Sequence, residues 1–307
     1  MVWWNVLMPV IEVTDLVKNY GDVEAVRGVS FSVEAGEVFA VLGPNGAGKS
    51  TIVEILEGHR SKSSGAVSVL GHDPGLAERS YRERIGIVLQ DPAVEGQLTV
   101  EEVINVYGSM YPRRRKTGDL IELVGLEEKT HARIKTLSGG QKRRLELALG
   151  IVGDPELIFL DEPTTGFDPS ARRQAWSIID NLTSLGKTVL LTTHYMDEAQ
   201  HLADRVAVIA DGRIVATGTP ETLGGRDTAR TVITFHLDLQ TVEGFPVAEM
   251  ARLDSGLVTV KSDNPTRDLH LITGWALDHD VELAGLKVAR PSLEDVYLEL
   301  TGGDNHV

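Results

Sequence analysis

The chain contains no cysteine, so disulfides, thiolate-held zinc and thiol catalysis are excluded and any chemistry must come from other groups. That absence fits a cytoplasmic protein. It also has no apolar run of the roughly 18 to 20 residues needed to cross a bilayer, so a membrane role must be exercised through a partner. Positive charge is scarce. The chain sets 45 acidic residues against 30 basic ones, a formal net charge of -15, whereas a nucleic-acid binder more often presents a basic face. The cluster Arg113-Arg114-Arg115-Lys116 is the local exception and reads as a solvated loop or helix start. The opening Met1-Val-Trp-Trp-Asn-Val-Leu7 is apolar but short, uncharged and without a small-residue cleavage site, a poor signal peptide. Residues 1–9 are read as an extension, with Met8 as the expected start.

At 307 residues, 42% hydrophobic and 24% charged, the chain suits a large soluble domain with a smaller companion. Val10-Ile-Glu-Val and Val29-Ser-Phe-Ser-Val alternate like half-buried strands. Val38-Phe-Ala-Val-Leu42 is a continuous apolar strand followed at once by a glycine-rich loop and a helical pattern from Thr51 to Glu57. Over about 79–150 the pattern turns helical, with amphipathic segments near Val100–Tyr107 and Thr117–Val124 and another from Gln141. Two more buried strands, at Leu157 and Thr188, flank a helix from about Ser170 to Leu185. Asp211-Gly212 predicts a hairpin turn, and Pro220 the start of a short helix. This alternation predicts an α/β core with right-handed crossovers. Past Gly224-Gly225, strands near Thr231–Leu237, Leu257–Lys261 and Val281–Val288 and helices over Thr266–His279 and Ser292–Leu300 predict a small α+β domain over 225–307.

Gly43, Pro44, Asn45, Gly46, Ala47, Gly48, Lys49, Ser50 and Thr51 satisfy G-x-x-x-x-G-K-[ST] after a buried strand and at the start of a helix. Backbone amides and the positive end of the helix dipole can surround phosphate there, Lys49 reaching the β and γ phosphates and Ser50 ligating magnesium. Leu157-Ile-Phe-Leu-Asp161-Glu162 delivers two carboxylates to a strand's C-terminal end, where open α/β sheets bind ligands. Asp161 is expected to hold magnesium through water, and Glu162 to polarise an attacking water as general base. Alone, such an acidic pair is more often a surface turn; beside a P-loop the balance reverses.

Leu137-Ser138-Gly139-Gly140-Gln141 is, by its own chemistry, a helix start that Ser138 caps. Between that P-loop and that acidic strand, it makes the chain resemble the ATP-binding cassette ATPases, whose signature motif is this LSGGQ. The resemblance implies that the helix aims its N-terminus at the γ-phosphate held by a second protomer, sandwiching two nucleotides between two chains. It implies that Tyr20 stacks on adenine, and that Gln90 touches magnesium and the attacking water and senses the membrane partner. Gly166-Phe167-Asp168-Pro169 is similar to the family's D-loop, usually GLDP, which joins the two sites. His194 matches the switch histidine that contacts the γ-phosphate and holds Glu162 in place.

The resemblance covers residues 10–224 as nucleotide-binding domain, and implies a P-loop NTPase fold of ABC type with an antiparallel β subdomain, a helical subdomain and an accessory C-terminal domain. Leu160-Asp-Glu-Pro-Thr-Thr-Gly, Thr192-Thr-His-Tyr-Met-Asp-Glu-Ala and the tail Pro291-Ser-Leu-Glu-Asp-Val-Tyr are similar to the drug- and lipid-exporting branch typified by daunorubicin-resistance proteins. Implied with it are ATP and Mg2+, the ion held by Ser50, Gln90 and Asp161, and ATP hydrolysis coupled to transport. The implied partners are a separately encoded polytopic permease and a second copy of this chain or a close homologue, at the cytoplasmic face of the membrane. A soluble relative acting on nucleic acid or the ribosome is the alternative. The acidic charge, the single cassette and the lack of a long coiled-coil insert stand against it.

Overall fold

The computed structural model describes residues 9–76, 78–88, 96–237, 245–246 and 251–301, with backbone only for 299–301. Met8 and Gln90 lie outside the described residues. The chain divides into two compact units, Met1–Pro220 and Glu221–Val307.

In the first unit, β1 (Ile11–Tyr20) and β2 (Val23–Val33) form a hairpin. β3 (Val38–Leu42) leads through the glycine loop into α1 (Lys49–Leu56), and β4 (Ser64–Val69) returns to pair with β1. The antiparallel sheet β2-β1-β4 alternates, turning Ile11, Val13, Leu16, Val26, Val29 and Val33 into a core shared with Phe39, Val41, Ile52 and Leu56.

A short helix α2 (Arg79–Arg82) precedes β5 (Ile85–Val88). The helical stretch follows as α3 (Val100–Gly108), α4 (Thr117–Leu123) and α5 (Gly139–Ile151). The basic cluster forms the approach to α4, where Arg115 pairs with Asp154 at 3.0 Å. Next come β6 (Leu157–Asp161), α6 (Pro169–Ser184), β7 (Thr188–Thr193), α7 (Met196–Leu202), β8 (Arg205–Ala210) and β9 (Arg213–Gly218). Asp211 and Gly212 turn β8 into β9 with φ of 48° and 74°, the left-handed pair that a tight hairpin demands. Pro220 leads only into a single 3-10 turn, Leu223–Gly225, because Gly224 at φ 63° breaks the helical path.

The second sheet of this unit runs β5-β6-β7-β3-β8-β9, parallel except for β9. Every residue of β3 and β7 is buried, as parallel strands covered on both faces must be. Because β6, β7 and β3 are adjacent, the segments that follow them emerge side by side. Their register levels Asp161 with Thr192, and Leu42 with Thr193.

The second unit is an antiparallel sheet, β11-β12-β10-β13, built from β10 (Thr231–His236), β11 (Ala251–Asp254), β12 (Leu257–Ser262) and β13 (Ala284–Ala289). Helix α8 (Pro265–Asp278) brings Ile272 and Trp275 to a core with Ile233, Phe235, Val258 and Val260. Helix α9 (Leu293–Thr301) buries Leu293 and Val296. The strand expected from Val281 begins only at Ala284, since Val281 and Leu283 pack against the apolar core instead.

Candidate active site

The loop after β3 is shaped by close backbone contacts. A Cβ on Gly43 would lie 2.4 Å from the Ile209 carbonyl, and one on Gly48 2.5 Å from that of Ala25. Gly48 also sits at φ 101°, in the left-handed region, as N-cap of α1. The Gly43 amide bonds the Thr193 carbonyl at 3.3 Å, seaming the loop to β7, and Ala47 closes the turn on Pro44 at 3.2 Å. Asn45 and Gly46 of the loop are exposed, and in the first turn of α1 Ser50 is exposed and Thr51 half-buried. That turn has neither a side-chain cap nor an acidic residue. Its free amides and dipole therefore present positive potential to an anion.

Lys49 is 4% exposed. Its ammonium donates to the carbonyls of Gly43 at 2.8 Å and Pro44 at 3.1 Å, and lies 3.5 Å from Glu162 Oε1. Burial lowers its pKa, and the charges of Glu162 and Asp161 work against that shift. The acidic pair at the end of β6 is fixed from β7: the Thr192 hydroxyl donates to Asp161 Oδ1 at 2.5 Å and accepts from the Glu162 amide at 3.0 Å. Glu162 has φ 45°, a left-handed backbone costing about 1–2 kcal/mol for a residue with a Cβ. It turns the carboxylate away from the strand's alternation. The Thr165 hydroxyl donates to Glu162 Oε2 at 3.1 Å. Burial pushes the Glu162 pKa up, but the Thr165 hydrogen bond and the charges of Lys49 and His194 outweigh it, leaving the group below its ordinary value and ionised at neutral pH. His194, next after β7, brings Nδ1 to 3.4 Å from Glu162 Oε1 without hydrogen-bond geometry.

Lys49, Asp161, Glu162 and His194 thus converge. Gly139, Gly140 and Gln141 sit at the start of α5, where a capping box forms: Ser138 Oγ accepts from the Gln141 amide at 3.3 Å, and Gln141 Oε1 accepts from the Ser138 amide at 3.0 Å. Together with Phe167 and Asp168 they line a groove of about 770 Å³ that also includes Glu162 and Thr165. Asp168 caps α6, accepting from Ser170 at 2.8 Å and Ala171 at 2.9 Å. Tyr20 stands apart, 40% exposed at the end of β1, between the Lys18 ammonium at 5.1 Å and the Arg60 guanidinium at 5.2 Å.

Several contributors carry roles that the sequence reading did not assign. Thr192 and Thr165 orient the carboxylates, and for Thr192 the available signal was the pair of buried hydroxyls that ends the apolar run of β7. Arg143 on α5 reaches the Pro163 carbonyl at 3.1 Å and the Asp161 carbonyl at 3.4 Å, joining the signature helix to the acidic turn.

Residues 26–165 match the family model described as ABC transporter, and residues 231–292 the one described as ABC transporter domain-containing protein-like, C-terminal domain. Over 305 residues the chain is 40% identical to the Nod factor export ATP-binding protein I of Rhizobium sp. (strain N33), covering 95% of this chain and 97% of that protein. The chain belongs to the ABC transporter ATP-binding subunits. It is 37% identical over 305 residues to the daunorubicin/doxorubicin resistance ATP-binding protein DrrA of Streptomyces peucetius, spanning 95% and 92% of the two chains. Among solved structures, an ATP binding subunit of an ABC transporter aligns with a TM-score of 0.63 at 28% identity, over 69% of this chain and 90% of that one. The cbiO1 protein of Clostridium perfringens aligns with a TM-score of 0.63 at 29% identity, over 69% and 89%. This ABC subunit is accordingly an ATP-binding P-loop ATPase, and among its described residues no helix is long and apolar enough to cross a membrane.

Proposed function

We propose that this ABC ATPase powers export of a drug-like or lipid-like compound through a separately encoded polytopic permease, at the cytoplasmic face of the membrane. It works as a dimer with a second copy or a close homologue, and not on nucleic acid. Support for the cargo class comes from relatives named for Nod factor export and for daunorubicin resistance. For the chemistry, the supporting observation is the convergence of Lys49, Glu162 and His194 within 3.5 Å contacts at the mouth of an uncapped helix.

In this reading Lys49 and the amides of Gly43–Thr51 hold the phosphates. Glu162, ionised and aimed by Thr165, accepts a proton from the attacking water, while His194 keeps it in place beside the γ-phosphate. Among the described residues no three carboxylate or imidazole groups form a metal cage. A lone hydroxyl and carboxylate, Ser50 and Asp161, suit a magnesium ion that takes its remaining ligands from phosphate and water, with Asp161 acting through water. Such an ion would neutralise charge on the transferring phosphoryl group. Gln90 adds a polar contact to ion and water, Tyr20 stacks on adenine, and Asp168 links the two sites. Ser138, Gly139, Gly140 and Gln141 complete the site of the other protomer, their groove giving access to the amides of α5.

Replacing Glu162 by Gln removes the base and keeps the shape. The variant is expected to lose hydrolysis by about 100- to 10,000-fold and to accumulate as an ATP-bound dimer, read by size-exclusion chromatography with ATP. A variant that stays monomeric while hydrolysing at the wild-type rate overturns the assignment. Recovery with a polytopic protein on purification from membranes is the expected outcome for the transport role, and recovery with ribosomes or nucleic acid refutes it.

A further inference from the structure

Behind the site lies a carboxylate that the proposed chemistry leaves unused. Glu198, on α7, has no solvent exposure. Its Oε1 accepts hydrogen bonds from the Thr164 hydroxyl at 2.7 Å and from the Trp176 indole at 3.2 Å. Thr164 belongs to the turn that follows Glu162, and Trp176 to α6, which Asp168 caps. One oxygen therefore ties together three segments that meet only because β6 and β7 are neighbours. Taking a carboxylate out of water is costly, and an apolar side chain of similar volume would pack α7 without that cost. Its retention calls for something packing alone would not supply.

The contacts around it indicate what that is. Thr165, adjacent to Thr164, donates to Glu162 Oε2 at 3.1 Å, so anchoring Thr164 anchors the turn that aims the general base. On the other side, α7 starts two residues after His194, so anchoring Glu198 anchors the segment that carries the histidine. A second tie joins the same elements: Arg172 on α6 lies 4.3 Å from the Tyr195 ring centroid and pairs with Asp197 at 3.0 Å. Burial pushes the Glu198 pKa up, while the hydroxyls of Thr193 and Thr164, the indole and the charge of Arg172 pull against it. Accepting from Thr164 and Trp176 needs an oxygen lone pair and not a full charge, so a carboxamide can do it too.

We infer that Glu198 is a positioning residue for ATP hydrolysis: its buried oxygen locks the turn that aims Glu162 to the helix that follows His194, so that base and histidine keep one spacing. The inference rests on the roles proposed above for Glu162 and His194. Loss of the lock breaks no bond of the phosphate-binding loop, since Glu198 Oε1 is held by Thr164 and Trp176 and the Gly43 amide is held by the Thr193 backbone carbonyl. It should therefore reduce turnover and spare substrate binding.

The test is steady-state hydrolysis by the full chain carrying Glu198→Leu, Glu198→Gln, Thr164→Val, or Glu198→Leu with Thr164→Val, with Glu162→Gln alongside and rates normalised to folded protein. Glu198→Leu and Thr164→Val should each lower kcat by about 10- to 100-fold, the scale of a misplaced catalytic group, with KM within about threefold of wild type. The double variant should be no slower than the slower single one, because both break the same bond. Glu198→Gln should return kcat to within about threefold of wild type, its carbonyl oxygen taking both hydrogen bonds. Wild-type kcat in Glu198→Leu or Thr164→Val, losses that simply multiply in the double variant, or a Glu198→Gln as slow as Glu198→Leu would each overturn the lock. Should Glu198→Leu fail to fold, Thr164→Val and Glu198→Gln decide alone: a wild-type kcat in Thr164→Val, or a Glu198→Gln as slow as Thr164→Val, overturns the lock. Normal hydrolysis by Glu162→Gln would instead defeat the role of the base, whereas a dead Glu162→Gln beside a normal Thr164→Val defeats only the lock.

Discussion

Helix α1 opens behind Gly48, left-handed and without a side-chain cap, whereas α5 opens behind Ser138, whose hydroxyl joins Gln141 in a capping box. Both starts are glycine-rich, and the glycines answer to different demands. Around α1 the chain's own backbone leaves no room: the carbonyls of Ile209 and Ala25 would meet any Cβ on Gly43 or Gly48. Around α5 there is room. A Cβ on Gly139 would meet nothing within 4 Å, and one on Gly140 only the Ala171 methyl at an ordinary 3.7 Å. Since alanine is the better helix former, nothing in this chain's fold calls for glycine at the start of α5. In the function proposed above, the demand would come from outside the chain, through close approach of another protomer's nucleotide.

The sharpest way to break that contrast is to put the same methyl at both starts. Gly48→Ala meets backbone at 2.5 Å and strains a residue at φ 101°, so both fold and ATP binding should suffer. The expectation is a stability loss of about 1–3 kcal/mol in urea denaturation and at least about a hundredfold weaker nucleotide binding by calorimetry. Gly140→Ala should do the reverse to the fold, leaving it unchanged or more stable by a few tenths of a kcal/mol, roughly what the better helix former supplies near a helix end. If the proposed dimer forms, its hydrolysis should still fall by about 10- to 100-fold, because the methyl would stand where the second protomer's nucleotide comes. A Gly140→Ala chain that hydrolyses normally would return the signature glycines to mere helix chemistry.

The two starts also differ in how far they could be read from sequence. The P-loop was legible down to its individual glycines because its contacts are local: strand, turn and helix follow one another within the motif. LSGGQ showed itself as a helix start, and the capping box is the local chemistry its residues specify. The buried runs of β3, β6 and β7 and the Asp211-Gly212 hairpin were equally plain. β4 and β11 were not, since Ser64-Gly-Ala-Val-Ser-Val69 is half polar or glycine and Ala251-Arg-Leu-Asp254 carries one strongly apolar residue. Both are strands because a neighbour supplies the pairing. The ties from Thr192 to Asp161, Arg143 to Pro163 and Thr164 to Glu198 were hidden for a related reason. Each joins residues far apart in sequence that only the folded arrangement of strands and helices brings together.

The far end of α1 sharpens the contrast further. Its C-cap is Glu57, whose pKa is raised to about 8 by burial and then by the charges of Asp161 and Glu54, while α5 ends on Val152 with nothing to titrate. A buried acid at a helix C-terminus also opposes the dipole when ionised. Because the folded pKa lies above the ordinary 4.5, the folded chain binds the extra proton between those values. The contribution to stability is full below about pH 4.5 and is lost as pH rises toward 8. Glu57→Gln should remove that loss, on the order of a few kcal/mol, seen as a smaller fall in denaturation midpoint from pH 5 to pH 8 than the wild type shows. Equal pH slopes in the two proteins would mean that Glu57 is not protonated in the fold.

The smallest effect concerns the caps themselves, and a third helix supplies the control. α3 opens with the same device as α5: Thr99 Oγ1 accepts from the Glu102 amide at 3.2 Å, and Glu102 Oε2 accepts from the Thr99 amide at 2.8 Å. The first turn of α3 carries Glu101 and Glu102, which would repel a phosphate, whereas α5 has no acid there. Removing either hydroxyl costs a helix start about 1 kcal/mol, so Thr99→Ala and Ser138→Ala should lower the denaturation midpoint by similar amounts. Their hydrolysis rates per folded molecule should part: unchanged in Thr99→Ala, reduced in Ser138→Ala. The stability terms cancel in that pairing, so a remaining difference in rate would separate a cap that only finishes its own helix from one that, as proposed, also presents that helix to another chain. Equal rates in the two variants would mean that the Ser138 hydroxyl serves α5 alone, and would leave the demand for a second protomer resting on Gly139 and Gly140.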